Sequence, residues 1–163
     1  MKYTYILLLL ISVGFLSCSA QGQQPDNTKP MYGEIVKSAE YQKADEQFKA
    51  HCIKQFGSLH DAAIAHINFA WEYIGKDEMD TALRRFNQAW LLDSNLSDSY
   101  FGFSFLMKHQ NNQAESERFY NMGMAKDETG EGLERYNQEV DTYENGRSIT
   151  ETFELSGIEV EAE

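Results

Sequence analysis

Through the middle of the chain apolar residues recur every three or four positions, the period of helices with one face turned inward. Tyr41, Ala44, Phe48 and Cys52, with Ile53 and Phe56 beside them, form the first stripe, and Gly57 ends it. Ser58, followed three residues later by Asp61, supplies a capping signal for a second helix. Its stripe of Ala62, Ile64, Ala65, Phe69, Ala70 and Tyr73 runs to about Ile74, just before Gly75. The same reading predicts helices at 78–92, 97–108, 112–126 and, more weakly, 131–143. Strand-like alternation is confined to the end of the chain, where Ile149, Phe153, Leu155, Ile158 and Val160 lie among Glu and Thr. That end is open between a strand pair, a groove-filling segment and an acidic disordered tail.

A repeat runs through these helices. Ala70, Tyr73, Ala82, Phe86 and Ala89 return 34 residues later as Ser104, Met107, Ser116, Tyr120 and Gly123: small, large, small, aromatic, small. Together with Phe69-Ala70-Trp71-Glu72-Tyr73 and Asp93-Ser94-Asn95, this pattern resembles the tetratricopeptide repeat, a helix pair that stacks on its neighbours into a solenoid. The resemblance implies an all-α fold of about two such repeats, 63–96 and 97–130. The helix that ends at Phe56 would cap one side of the stack and the helix at 131–143 the other. The helical domain then spans 34–143, followed by a tail at 144–163.

Charge narrows the partners. The net charge is −12, which disfavours nucleic acid. It is uneven: from Asp127 onward there are 12 acids against Arg135 and Arg147, so an acidic end follows a nearly neutral body. The amino terminus is different again. Lys2 precedes an apolar run from Tyr5 to Leu16, of signal-peptide length and short for a bilayer span, and Phe15-Leu16-Ser17-Cys18 follows at once. This resembles the lipobox of bacterial lipoproteins, in the looser form similar to that of Bacteroidetes. The resemblance implies removal of residues 1–17, acylation of Cys18, and a domain held in the cell envelope. Ser19 and Ala20 imply outer-membrane sorting, with the domain expected in the periplasm and the exterior face left open as the alternative. Residues 18–33, polar and small and punctuated by Pro25 and Pro30, read as a flexible tether. With Cys18 acylated, Cys52 is the remaining thiol, and packing alone must hold the fold.

Catalytic chemistry finds no foothold in the sequence. It has no P-loop, no Gly-rich dinucleotide turn, no His-Glu-x-x-His and no Gly-x-Ser-x-Gly. His51, His60, His66, His109 and Cys52 lack metal-site spacing, and no cofactor is implied. The chain reads as a binding protein rather than an enzyme. The repeat resemblance implies a concave groove lined by Ile64, Ile67, Trp71 and Ile74 from one repeat and by Asp98, Phe101, Phe105 and Lys108 from the next. Asn68 stands at one position of the Lys, Arg and Asn set by which some relatives hold a peptide carboxylate, but the rest of that set is lacking, which disfavours that mode. Two occupants are open: the chain's own amino-terminal helix or tail, or a protein partner contributing a helix or extended peptide. The expected function is a membrane-anchored interaction scaffold. The alternative is a lipoprotein of an uptake system that stacks a small solute or peptide on the same aromatics.

Overall fold

The computed structural model describes residues 22–156, with side chains described to Arg147. The expected leader 1–17, the lipidation candidate Cys18 and residues 157–163 lie outside the described residues. The architecture is all-α. Among the described residues six α-helices follow in order: α1 Ala39–Phe56, α2 Leu59–Gly75, α3 Met79–Leu92, α4 Ser97–His109, α5 Gln113–Lys126 and α6 Glu131–Ser156. Among the described residues there is no strand, only an isolated bridge between Gln23 and Lys37.

The turns between helices follow from local chemistry. Gly57 adopts φ 92° to end α1, and Ser58 Oγ accepts the amide of Asp61, 3.0 Å away, to start α2. Asn112 caps α5 in the same manner through the amide of Glu115.

Helices α2–α3 and α4–α5 form two hairpins that match at an offset of 34 residues, down to individual hydrogen bonds. Asp77 and Asn111 both take the left-handed conformation, at φ 60° and 59°. Glu78 N donates to Tyr73 O at 2.9 Å, and Asn112 N donates to Met107 O at 2.9 Å. Where the hairpins close, Asp93 N donates to Ala89 O and Asp127 N to Gly123 O. The small residues expected at the seam are buried. Ala70, Ala82 and Ala89 are fully enclosed in the first hairpin. In the second, Ser104 Oγ and Ser116 Oγ approach to 3.2 Å, sharing a hydrogen bond where the first hairpin has two alanines. Phe86, on α3, packs on the bare backbone of Gly102 in α4 and joins the hairpins. Helix α1 closes one end, burying Cys52 with Ala62, Ala63 and Leu92 beneath Phe48 and Phe56.

Residues 22–33 are not a flexible tether. Gln23 N donates to Val36 O at 2.8 Å, and Ser38 N donates to Gln23 O at 3.3 Å. The segment between forms a left-handed turn at Pro30–Gly33 in which Met31 and Tyr32 have φ of 52° and 56°, and Glu34, which follows it, has φ 58°. Such angles cost on the order of 1 kcal/mol for each non-glycine residue, so several anchors must hold them. Tyr32 is buried, with the Lys37 ammonium 3.8 Å above its ring and Lys37 itself paired with Asp45 at 2.7 Å. Asn87, fully enclosed on α3, donates to Lys29 O at 2.9 Å and Asn27 Oδ1 at 3.2 Å. Arg118 of α5 reaches Glu34 at 2.6 Å. Within the segment that read as a solvated linker, the Asn27 side chain and the Lys29 carbonyl serve as acceptors for the buried Asn87 side chain.

The carboxyl-terminal side also departs from expectation. Helix α6 does not stop near Tyr143 but continues to Ser156, so 144–156 is neither strand nor irregular tail. Asp127 receives the amides of Gly132 and Leu133 at 3.1 and 2.8 Å and starts the helix.

Candidate functional site

Helices α2 and α4, the first of each hairpin, form the face on which the groove was expected, and the structure brings its aromatic residues together. Trp71 and Phe105 lie 5.3 Å apart between ring centroids, at 65°. Ile67, Trp71, Ile74, Phe101 and Phe105 are all buried, and Phe101 is completely enclosed. Ile64 is half-buried, whereas Asn68 and Lys108 are exposed. Asn68 and Lys108 therefore sit outside the aromatic row, and the groove is covered in this conformation.

Helix α6 occupies it. Tyr136 stacks on Phe101 at 5.4 Å and 25°, and its ring stands 6.2 Å from Trp71 and 6.3 Å from Tyr120. Two turns on, Tyr143 meets Phe105 edge-on at 5.3 Å and 88°, with Val140 between the two tyrosines packed on the same core. Edge-on and offset contacts of this kind add to the area that they bury. Burial, reinforced by neighbouring Tyr120, raises the Tyr136 hydroxyl above its ordinary pKa.

Electrostatics fix the register. The Asp98 carboxylate is only 4 % exposed, and Arg135 approaches it with two parallel N–H bonds of 2.7 and 2.8 Å. That hydrogen bond to Asp98 raises the Arg135 pKa further above the ordinary guanidinium value. Asp98 was expected as a groove residue, but its partner was not. Arg135, Tyr136, Val140 and Tyr143 were missed, although the apolar members of the set recur at the helical spacing of four and three. The acidic residues between them mask the stripe.

Beside the amino ends of α2, α4 and α6 lies an open cleft of about 320 Å³, lined by Ile64, His60, Asp93 and Lys126 among others. Within it His60 Nδ1 lies 3.0 Å from Asp93, and Lys126 donates to the Asn95 side-chain oxygen at 3.2 Å. At the α1 end, His66 is enclosed by Phe48, Phe56 and Phe69, with centroids 5.7 to 6.2 Å away. Burial, aided by the nearby Arg85 charge, lowers its pKa to about 4. Burial also raises the pKa of the Cys52 thiol. Among the described residues no group of three His, Cys, Asp or Glu side chains is arranged to hold a metal ion. No described helix is long and apolar enough to cross a membrane.

The groove thus holds a helix of its own chain, and a solute cannot stack on Trp71, Phe101 or Phe105 while α6 is in place. No family model, no curated protein and no solved structure matches the chain.

Proposed function

We propose that this chain is a lipid-anchored interaction module of a bacterial envelope, built on tetratricopeptide-like hairpins, that binds a helical segment of a protein partner at the α2–α4 face in exchange with α6. One observation carries the reading: this face combines an aromatic row with a buried carboxylate, Asp98, that requires a cation from whatever helix covers it. An incoming helix must carry Arg or Lys next to an aromatic residue, with a second apolar or aromatic residue two turns on, as α6 does with Arg135, Tyr136 and Tyr143.

Two features make α6 suited to exchange. Its sequence includes Gly132, Asn137, Asp141, Thr142, Asn145 and Gly146, which form helix weakly on their own. It is joined to α5 by a short connection containing Gly130 at φ 80°. The proposed anchor at Cys18 keeps the module in the envelope, and two or more acyl chains are enough for stable attachment.

The test compares wild type with Arg135→Ala/Tyr143→Ala, which loosens α6 and leaves the α2–α4 face intact. Proteins are captured from detergent-solubilised native membranes and challenged with a synthetic peptide of residues 131–147. The expected result is increased recovery of one protein by the double variant, and its release by the peptide. Equal recovery from both forms, unaffected by the peptide, would overturn the reading.

A further inference from the structure

The amino-terminal clasp, residues 22–38, constrains how the molecule is presented to a bilayer. It rests on the second helix of each hairpin, through Asn87 and Trp90 of α3 and Arg118 of α5. Helix α6 rests mainly on the first helices, α2 and α4. The clasp and the helix-filled groove therefore belong to opposite layers of the stack.

If Cys18 is the acylated residue, as the proposed function holds, only four residue steps separate it from Gly22, where the held segment begins. Fully extended, that length reaches about 14 Å. A link so short cannot let the body tumble freely above the headgroups. It must hold the edge of the clasp close to them.

Two further features favour the same side. Val36, whose carbonyl accepts the Gln23 amide, is 76 % exposed and stands at the point where the link enters the fold. Met124 of α5, in the same layer, is 43 % exposed. Charge acts in the same sense: seven acids lie from Asp127 to Glu144, in the connection into α6 and on α6 itself, and anionic headgroups repel that side.

We infer that the clasp face, with Val36 at its edge, lies against the lipid surface, and that the α2–α4 face with α6 points into the aqueous compartment. The inference rests on acylation of Cys18 and goes beyond it, because a long flexible tether would anchor the protein without orienting it. The partner of this surface is a lipid bilayer, and the partner of the groove approaches from the opposite side.

The experiment uses the full-length acylated protein reconstituted in phosphatidylcholine vesicles. An environment-sensitive fluorophore is attached at Val36→Cys or, as the control on α6, at Gln138→Cys, both exposed positions. Brominated acyl chains serve as the quencher, and the mass of the amino-terminal peptide reports on Cys18. The expected result is several-fold stronger quenching at position 36 than at 138, together with an acylated Cys18. Equal quenching, or stronger quenching at 138, with Cys18 acylated would overturn the orientation and leave the anchor reading standing. An unmodified Cys18 would overturn both. Inserting about twenty Gly and Ser residues before Gly22 gives a link with a mean reach of roughly 25 Å. The difference should then vanish, and its survival would overturn the short link as its cause.

Discussion

At the scale of single residues, the most exacting positions are those where nothing larger fits. A methyl group added at Gly102 would enter the space of the Phe86 ring, which is itself fully enclosed and cannot swing away. Gly102→Ala should cost about 1–3 kcal/mol in urea unfolding despite the better helix propensity of alanine. Gly75→Ala meets nothing within 4 Å and should be neutral to stabilising in the same measurement. A second residue-scale prediction concerns acid. The folded state lowers His66 from 6.5 to about 4, so the ring is neutral when the chain is folded. Its contribution is intact above pH 6.5 and is lost as pH falls toward 4, because the unfolded chain takes up a proton that the folded chain refuses. The loss amounts to at most about 3 kcal/mol. His66→Phe keeps an aromatic body among Phe48, Phe56 and Phe69 and should flatten this part of the pH dependence, measured by urea midpoints at pH 7 and 4.5.

At the scale of elements, helix α6 depends on a few contacts spaced along one side. Removing Arg135 strands the carboxylate of Asp98, only 4 % exposed, although Arg135 is itself half in solvent. Arg135→Ala should therefore destabilise by about 1–2 kcal/mol, less than for a fully enclosed pair. Adding Asp98→Asn should recover part of that loss, and a double-mutant cycle on urea midpoints reads the coupling. These elements differ in how legible they were in the sequence. The five helices from α1 to α5 announce themselves through stripes of Phe, Ala and Ile bounded by Gly57, Gly75 and a repeated turn, and their core faces inward as the spacing requires. The aromatic row of Trp71, Phe101 and Phe105 was equally legible as a set. What covers it was not, because Tyr136 and Tyr143 stand among acids and a thin stripe looks the same on a capping helix and on a solvated one. The clasp was hidden for a different reason. Its anchors are long-range, such as the enclosed amide of Asn87, sixty residues from Asn27, and Arg118 on Glu34, and no local pattern reports such contacts.

At the scale of the whole molecule, two hairpins alone leave both outer surfaces of the stack apolar, and the chain covers them from its own ends. Helix α1 covers one end, the clasp settles on the second helices, and α6 fills the first-helix face. Ending the chain at Gly130 should expose Trp71, Phe101 and Phe105 together. The expected outcome is a broadened urea transition and strong binding of a hydrophobic dye, with far-ultraviolet circular dichroism still helical, the signature of lost packing over retained backbone structure. A sharp transition without dye binding would mean that the hairpins close over the row without help.

Cys52 adds a property of another kind. Its sulfur is sealed where α1 meets α2, at 1 % exposure, and it is the free cysteine among the described residues. The residue is therefore a stopwatch for one event, the lifting of α1. Each excursion that bares the sulfur gives a thiol reagent an opportunity, and the rate of modification counts those excursions without a label or a mutation. Modification that is slow under native conditions and speeds up only with global unfolding would mark α1 as part of the cooperative core. A fast rate, insensitive to low denaturant, would mark it as a gate that opens while the two hairpins stay shut.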